Sequence, residues 1–519
     1  MKRKSLTKRI TAVFLAAVLF ALTGCGNKQT QKDNEAKQTE SVPKSTEETK
    51  ASEGENKVAK SDIVIHWYMP MAGSNMDDQL LVEEAANKIV EEKLGFTFKF
   101  HLIESGNYTE KMTTMISTGE EFDICFTGTW TNSFNRNADG GAFLPLNDLL
   151  DKYGQDILKK EDPRALTAAT KNGEILTIPG QSPYSSSMSY VFKKDLIDKY
   201  NIDYKDLNTP EKLESYLALI KENEPDMIPL TKNAGGSFFN NLCDVDGAPC
   251  IRYDNNTDEF SNVFENEQWI AAKKIRKNWN DKGYFASNVL EQTDVTAEAK
   301  TGKYAVLGST GYYSEDGSKS SGIYGFDCVE SYVGNSLITS AIMLGQTNAI
   351  SITSKHPEEA MQLLNLVWAD PELSNTLAYG VEGIDYTVDT SNTTEKTVIP
   401  NSGSEQKWVI WHNWVGPLFD QWNSSWNSTE SLRQMQENNE KGTAVKCLGF
   451  SFDSSNVRTE VAQLSAIYSE VNSVFDVGAM PDFDKYLKET QERVKEAGID
   501  TLLEEVNKQY QEWKKANNK

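Results

Sequence analysis

The sequence predicts an α/β protein whose main sheet is largely parallel. Between residues 63 and 126 the strand and helix patterns alternate in the order β-α-β-α-β. Such an alternation places parallel strands in one sheet, with the connecting helices on its faces. The chain has 519 residues, more than one ordinary domain needs, so we expect two hydrophobic cores.

The first predicted elements have clear periodic signals. Residues 63–68 form a continuous apolar run, which indicates a buried strand. Residues 79–94 carry apolar side chains at helical spacing and end before Gly95, a favourable C-terminal cap. The alternation is completed by a strand over 96–102, a helix over 108–117 and a strand over 122–126.

The rest of the chain continues this mixture of strands and helices. Thr209 and Pro210 are typical of an N-cap and a first helical residue. The apolar stripe that includes Trp269 and Trp279 predicts a helix packed on a core. Further predictions are strands over 175–180, 190–192, 303–307 and 339–351, a hairpin turn at 254–258, helices over 194–200 and 357–368, and helices that begin near 370 and 481.

Composition excludes several classes of function. Acidic residues outnumber basic ones by 76 to 53, giving a formal charge of -23, which repels phosphate backbones. We therefore expect no nucleic-acid partner. Only one stretch, near the N-terminus, is apolar enough to enter a bilayer, so the chain is not a polytopic membrane protein. Aromatic residues make up 10% of the chain, too many for a disordered protein.

The N-terminus has the organisation of an export signal. Basic residues within the first nine positions precede an apolar segment over 10–22. The segment ends in Leu22-Thr23-Gly24-Cys25, which resembles the bacterial lipobox. By that resemblance, residues 1–24 form a lipoprotein signal peptide, and Cys25 carries a diacylglyceryl group and palmitate-type acyl chains that anchor the protein to the membrane. The alternative is an ordinary signal peptide followed by an unrelated cysteine.

Residues 25–61 are predicted to be the lipidated cysteine and a disordered tether. The segment is rich in Lys, Glu, Gln, Thr and Ser and has no aromatic residue. Because it has so little apolar surface to bury, it cannot offset the entropy lost on ordering. A flexible chain of this length reaches roughly 30 Å, enough to hold a folded domain away from a membrane.

Sequence motifs of catalysis and metal binding are absent. The chain contains no G-x-S-x-G, P-loop, G-x-G-x-x-G or H-E-x-x-H segment. Its four histidines, at positions 66, 101, 356 and 412, are far apart in sequence. We therefore expect no enzyme, metal or cofactor. Cys243 and Cys250 could close a small disulfide loop, although two buried free thiols are the favoured interpretation.

Several collinear motifs resemble those of the extracellular solute-binding lipoproteins of bacterial ABC importers. The most specific runs from His356 to Glu372 and from Tyr379 to Tyr386, and is similar to the PEKAMxFLNxxYxDPE and YGxEGxxY patterns of that family. Residues 118–124 and 143–154 match its strand-entry and helix motifs. The tail from Gly449 looks like an uncharacterised C-terminal domain found in one branch.

The resemblance implies a two-lobed, periplasmic-binding-protein-like (type II) fold with crossover hinge segments. Lobe one would comprise residues 62–178 and 337–395, and lobe two residues 179–336 and 396–519 with a C-terminal helical region. Closure of the lobes would bury a solute in the cleft between them. The implied partners are a small-molecule solute and the permease subunits of an ABC importer. The protein itself would be a monomer on the extracytoplasmic face of the membrane, and its composition and tether favour a Gram-positive surface.

Aromatic side chains in the predicted cleft loops suit a sugar ligand. Indole and phenol rings pack against the apolar C–H faces of sugars, while polar side chains bind the hydroxyl groups. Each of the predicted side chains could instead pack in a core or on a lobe surface. The predicted ligand-binding residues are Tyr68, Trp130 and Glu382 in lobe one, and Tyr190, Tyr312, Trp411 and Trp414 in lobe two.

Three hypotheses about function remain open from the sequence. The favoured one is a binding lipoprotein that captures an oligosaccharide or glycoside for import. The second gives the same architecture a peptide or another small solute. The third, from a different class, is a surface-anchored glycan hydrolase, which would require an acid–base pair of carboxyl groups in the cleft.

Overall fold

The structure is a computed structural model that describes residues 59–73, 75–185, 187–234, 241–309, 313–391 and 395–519. The predicted signal peptide, Cys25, nearly all of the predicted tether and Tyr312 lie outside these residues. In the described part of the chain, no helix is both long and apolar enough to cross a bilayer.

The described strands pair into sheets of five, four, three, two and two strands. In chain order they are β1 (Val64–Pro70), β2 (Thr97–Ile103), β3 (Ile124–Thr127), β4 (Thr170–Lys171), β5 (Glu174–Ile175), β6 (Ile178–Pro179), β7 (Ser187–Lys193), β8 (Ile228–Leu230), β9 (Leu242–Asp244), β10 (Ile251–Asp254), β11 (Glu259–Asn262), β12 (Tyr304–Leu307), β13 (Cys328–Asn335), β14 (Thr347–Ile350), β15 (Tyr386–Asp389) and β16 (Thr397–Pro400).

The α-helices alternate with these strands and then dominate the C-terminal region. They are α1 (Gln79–Leu94), α2 (Ser105–Thr118), α3 (Phe134–Asp139), α4 (Asn147–Tyr153), α5 (Gln155–Lys160), α6 (Pro163–Ala168), α7 (Lys194–Tyr200), α8 (Pro210–Asn223), α9 (Glu267–Asp281), α10 (Val295–Lys300), α11 (Ser318–Tyr324), α12 (Ser340–Met343), α13 (Pro357–Ala369), α14 (Pro371–Tyr379), α15 (His412–Val415), α16 (Thr429–Lys441), α17 (Arg458–Val477), α18 (Phe483–Glu496) and α19 (Ile499–Ala516).

The first lobe is built on the five-stranded sheet, in the order β2-β1-β3-β14-β6. Strand β1 pairs in parallel with both β2 and β3, which confirms the predicted parallel β-α-β-α-β unit. Helix α1 spans the predicted residues and ends at Gly95, whose φ of 80° is the left-handed cap conformation. Ile65, Trp67 and Met69 point from β1 into the core and are fully buried.

The second lobe is built on the four-stranded sheet, in the order β13-β7-β12-β8. Strand β12 runs parallel to β8, and β7 runs antiparallel to both β12 and β13. Helix α8 begins as predicted, with the Thr209 side chain accepting a hydrogen bond from Lys212 N and Pro210 in the first turn.

Three predicted strands differ from the structure. The strand predicted over 175–180 is divided into β5, which pairs with β4, and β6, which joins the five-stranded sheet. The single strand predicted over 339–351 is wrong, because the segment forms the short helix α12 and then β14. The Thr339 side chain caps that helix by accepting a hydrogen bond from Ile342 N, which favours a turn at this point. Strand β7 also begins three residues earlier than predicted, inside a Ser-rich segment, since its residues pair with β13 from Ser187↔Asn335 onward.

Two chain crossovers connect the lobes and are hydrogen-bonded to each other. The first follows β6 and the second precedes β14; Gly180 N donates to Gln346 O at 2.8 Å, and Ser185 Oγ donates to Ser336 O at 3.1 Å. Asn439 of α16 also binds the first crossover, donating from Nδ2 to Ser182 O at 2.7 Å and accepting from Ser185 N at 3.0 Å. These bonds make a compact hinge from three segments of the chain.

The C-terminal helices pack against α9 and the β9–β11 sheet. Trp269 of α9 contacts Phe475 of α17 with ring centroids 4.9 Å apart, and Phe260 of β11 contacts Tyr510 of α19 at 5.0 Å. Trp269 and Trp279 are both buried, which confirms the prediction that they belong to the core.

The described cysteines are free thiols, including Cys243 and Cys250, which are both buried. This agrees with the favoured interpretation of that pair. Burial raises the pKa of the Cys250 thiol to about 12, so the thiol stays protonated and unreactive at neutral pH.

Candidate functional site

A cavity of about 580 Å³ lies between the two lobes. Part of its lining comes from the segment 410–427, which packs against the first sheet, and part from α11 of the second lobe. Pro183 of the first crossover also lines it. Its volume is within the range of pockets that bind small ligands. The cavity therefore has the position of a ligand cleft beside the hinge.

Three tryptophans form an aromatic wall on one side of this cavity. Trp411, Trp414 and Trp426 all line it, and the rings of Trp411 and Trp426 lie 5.5 Å apart. Trp411 is 44% exposed. Trp414 N donates to Trp411 O at 2.8 Å, so the two indoles are separated by about one turn of α15. The wall thus offers extended, partly exposed aromatic surface.

The aromatic wall is fixed to the first sheet. The Trp414 ring packs against Phe126 of β3, with centroids 5.0 Å apart. Asn348 of β14 donates from Nδ2 to Trp414 O at 2.7 Å and accepts from Trp67 Nε1 at 2.9 Å. Although residues 411–414 follow the second lobe in sequence, their contacts attach them to the first lobe.

Trp130, in the loop after β3, extends this wall. Its ring lies 5.7 Å from that of Trp414, and it is half exposed. The indole is held by a hydrogen bond from its Nε1 to Gly345 O at 2.8 Å. Its orientation is therefore set before any ligand arrives.

Two glycines permit the close backbone approaches that shape the site. A Cβ atom on Gly128 would lie 2.4 Å from Gly345 O, and one on Gly180 would lie 1.9 Å from Asn413 O. Both are backbone atoms, so neither contact could be relieved by rotating a side chain. The second approach presses the first crossover against the segment that carries Trp411 and Trp414.

The second lobe contributes both polar and apolar residues of α11 to the lining, namely Ser318, Lys319, Gly322 and Ile323. Lys319 of α11 lies at the cavity, and burial lowers its pKa to about 7 against the opposing effect of Glu330. Glu330 is fully buried below the helix, where it accepts from Ser189 Oγ at 2.7 Å and from Ser320 Oγ at 2.6 Å. Burial raises the pKa of Glu330. The amine of Lys319 and the hydroxyl of Ser318 thus face the aromatic wall, beside the apolar Ile323.

His412 supports the wall from behind. It is 4% exposed, and its Nε2 donates to Asn375 Oδ1 at 3.0 Å. Its ring packs edge-on against Tyr379, with centroids 4.9 Å apart. Burial lowers the pKa of His412 to about 3, so the ring is neutral at physiological pH.

Residues 73–370 match the family described as bacterial extracellular solute-binding protein. This chain belongs to that family. Residues 446–515 match a domain of unknown function, DUF3502. In this solute-binding protein, the second match covers α17, α18 and most of α19, and it confirms the resemblance of the tail to an uncharacterised C-terminal domain.

Similar proteins cover most of the chain. A carbohydrate ABC transporter substrate-binding protein of Streptococcus pneumoniae serotype 4 is 28% identical over 461 residues, which are 84% of this chain and 88% of that protein. The crystal structure of the N-glycan transport solute binding protein (NgtS) from Streptococcus pneumoniae is 26% identical, covers 88% of this chain and 100% of its own, and superposes with a TM-score of 0.75. NgtS in complex with Man5GlcNAc superposes with a TM-score of 0.64. These matches confirm the family resemblance and the two-lobed type II fold.

The structure brings three of the predicted ligand-binding residues together. Trp411 and Trp414 line the cavity, and Trp130 contacts Trp414 beside it. Tyr312 lies outside the described residues.

The other predicted residues lie elsewhere. Tyr68 stacks on His101 with ring centroids 4.3 Å apart, on the surface of the first sheet. Tyr190 is 2% exposed and packs in the core of the second lobe. Glu382 is exposed in the turn between α14 and β15. None of these three lines the 580 Å³ cavity.

Sequence reasoning missed Lys319 and did not select Trp426. Trp426 belongs to the tryptophan-rich stretch 408–426, but the sequence does not show which of those rings meet. Nothing in the pattern of α11 marks Lys319 as a cleft residue. The described lining of the cavity contains no Asp or Glu, and no cluster of three or more metal-ligating side chains was found in the described part of the chain.

Proposed function

We propose that this protein is the lipid-anchored, extracytoplasmic solute-binding component of an ABC importer, which captures an oligosaccharide or glycoside and delivers it to a membrane permease. The observation that carries the proposal is the interlobe cavity with the aromatic wall of Trp411, Trp414 and Trp426 on one side and α11, which brings Ser318 and Lys319, on the other. Belonging to the solute-binding family supports the transport role.

The two kinds of lining match the two kinds of sugar surface. A pyranose ring has apolar C–H faces that pack on indole rings and a rim of hydroxyls that need hydrogen bonds. Trp411 and Trp414 supply neighbouring platforms, while Asn413, Gln421 and Asn427 bring amide groups to the same cavity. An extended ligand of several sugar units would use both platforms.

Relatives favour a glycan over other solutes. The pneumococcal relative is a carbohydrate ABC transporter substrate-binding protein, and NgtS has been crystallised with Man5GlcNAc and with Man1GlcNAc. The alternative solutes are a peptide or another small molecule, which the cavity could hold by its amides. The remote alternative is a glycan hydrolase; it requires two carboxyl groups at the bound sugar, and the described cavity lining supplies neither.

Capture works by closure of two lobes around the hinge. We assign residues 62–178 and 337–395 to lobe one, and 179–336 and 396–519 to lobe two, with the exception that segment 411–414 is attached to the first sheet by the contacts described above. A ligand stabilises the closed state only through contacts that both lobes make with it. The aromatic wall provides such contacts from the first sheet, and α11 provides them from the second. The protein acts as a monomer and binds the solute without altering it.

A glycan and peptide panel tests this proposal. Isothermal titration of the purified protein should show saturable binding to mannose- and N-acetylglucosamine-containing oligosaccharides and none to a matched peptide library. Mass spectrometry should recover the bound glycan unchanged. Binding of peptides alone would contradict the sugar assignment, and a cleaved glycan would contradict the transport role.

The proposed anchor is tested separately. We expect cells that express the wild-type chain to incorporate labelled palmitate into this protein and to retain it in the membrane fraction. The Cys25→Ala variant should lose the label and be released, because two acyl chains on one residue supply the stable attachment. The Cys447→Ala variant is the matched control. Membrane retention of Cys25→Ala equal to that of wild type would contradict the anchor.

A further inference from the structure

A second cavity, of about 310 Å³, lies within the second lobe, between α9, the turn after β8 and the end of the DUF3502 helix α17. It shares no lining residue with the aromatic cleft. Helix α9 contributes Lys273 and Arg276, the turn after β8 contributes Lys232, and the end of α17 contributes Asp476. Three cations therefore face one carboxylate, in a chain where acidic residues greatly outnumber basic ones.

Arg276 is buried without a carboxylate partner. It is 4% exposed and donates to three backbone carbonyls: Nη1 to Ala234 O at 2.6 Å, Nη2 to Lys232 O at 2.5 Å and Nε to Asp476 O at 2.6 Å. Within the described residues, no carboxylate hydrogen-bonds to this guanidinium. Carbonyl oxygens satisfy its donors, and its charge is countered only in part, by the nearby Asp476 carboxylate that Lys273 also engages. A buried charge is costly unless it is paired.

Among the described lining residues, the only carboxylate is already engaged. Asp476 accepts a hydrogen bond from Lys273, which is 8% exposed, and its other oxygen accepts from Asn472 Nδ2 at 2.9 Å. Lys232 donates to the backbone oxygen of Gln292. The segment 235–240, which follows in the sequence, contains no Asp or Glu. The cavity thus has more positive charge than its acidic group can neutralise.

We propose that this cavity binds a small ligand that carries an oxyanion, either a phosphate group or a carboxylate. Lys232 and Lys273 each have three donor hydrogens, so they can bind oxygen atoms of a ligand while keeping their present partners. The bound anion supplies further counter-charge to Arg276, beyond what the shared Asp476 carboxylate provides. It also ties α9 and the turn after β8 to α17, the first of the DUF3502 helices.

Anion binding to the whole protein tests this inference independently of the glycan proposal. Inorganic phosphate, sulfate and citrate are each titrated at constant ionic strength against sodium chloride, with the melting temperature and the heat of binding as readouts. We expect saturable stabilisation by at least one oxyanion. Preference for phosphate and sulfate would identify a tetrahedral group, and preference for citrate would identify an organic acid. No effect beyond that of chloride would overturn the proposal.

Variants at the rim of the cavity provide the controls. Lys232→Gln should lower the affinity for the preferred oxyanion by about tenfold, because it removes one charged hydrogen-bond donor. Lys232→Arg keeps the charge and should retain binding. Lys221→Gln, on the exposed face of α8, should bind like wild type. Equal oxyanion affinity of Lys232→Gln and wild type would overturn the assignment. Glycan binding should be the same in all of these variants, which separates this site from the cleft.

Discussion

Replacing Trp411 by alanine should weaken glycan binding by roughly 30-fold, equivalent to a loss of about 2 kcal/mol, the size typical of a tryptophan at the centre of a binding site. The indole lines the cavity, contacts Trp426 at 5.5 Å and is 44% exposed, so much of its surface is available to a ligand. Isothermal titration of wild-type and Trp411→Ala protein with the same oligosaccharide measures the effect.

A matched control separates binding from stability. Ile352 is 51% exposed and lies just after β14, at the end of that strand remote from Trp130, so Ile352→Ala removes similar exposed apolar surface outside the cleft. Both variants should unfold within a few degrees of wild type, because exposed side chains contribute little to stability. Unchanged glycan affinity in Trp411→Ala would contradict the assignment of the aromatic wall to the glycan-binding site.

Protonation of His412 should destabilise the protein in acid. Its pKa is about 3 in the folded chain and 6.5 when unperturbed. Between these values the unfolded chain binds a proton that the folded chain does not, so stability falls as the pH drops from 6.5 towards 3. From pH 6.5 to pH 4 this group alone removes about 3 kcal/mol from the free energy of unfolding.

The contribution of His412 is measured as a difference between proteins. Glu161 acts in the opposite direction, because burial raises its pKa to about 8 and its neutral form favours the fold as the pH falls. Denaturant unfolding of wild-type and His412→Gln protein is compared at pH 7 and pH 4. The contribution of Glu161 is the same in both proteins and cancels in the difference. The glutamine amide can still donate a hydrogen bond to Asn375. The free energy of unfolding of the variant should therefore fall less than that of wild type between pH 7 and pH 4.

His356→Gln is the control for loss of a histidine. This residue lies at the start of α13, outside the cluster that holds the aromatic wall. Parallel pH profiles of wild type and His412→Gln would contradict a neutral, buried imidazole behind Trp411.

Local signals in the sequence predicted local structure well. Helix α1 has the predicted bounds because its apolar spacing and the cap at Gly95 both act within a few residues. Strand β7 begins earlier than predicted because its pairing with β13, more than a hundred residues later, overrides the Ser-rich composition. The helix within 339–351 begins at the Thr339 cap. The apolar residues that follow Thr339 suggest a strand, so the sequence pattern does not reveal this helix start.

The candidate site was only partly predictable for the same reason. Trp411 and Trp414 stand in a stretch dense with tryptophan, so the sequence marks them as unusual. Lys319 joins them only through the meeting of the two lobes, a tertiary relation that no short pattern encodes. Tyr190 stands in β7, a strand buried on both faces, where periodicity cannot tell a core ring from a cleft ring.

The most direct test of the central claim is a distance across the cleft. Spin labels on cysteines introduced at Lys88 of α1 and Lys212 of α8, both exposed, report the separation of the first and second lobes. Of the six native cysteines, the four buried thiols should not be labelled, and Cys25→Ala and Cys447→Ala remove the other two. Pulsed electron paramagnetic resonance measures the distance between the two labels. When an oligosaccharide that the protein binds is added, this distance should shorten and its distribution should narrow. An identical distribution at saturating glycan would contradict capture by closure of the two lobes.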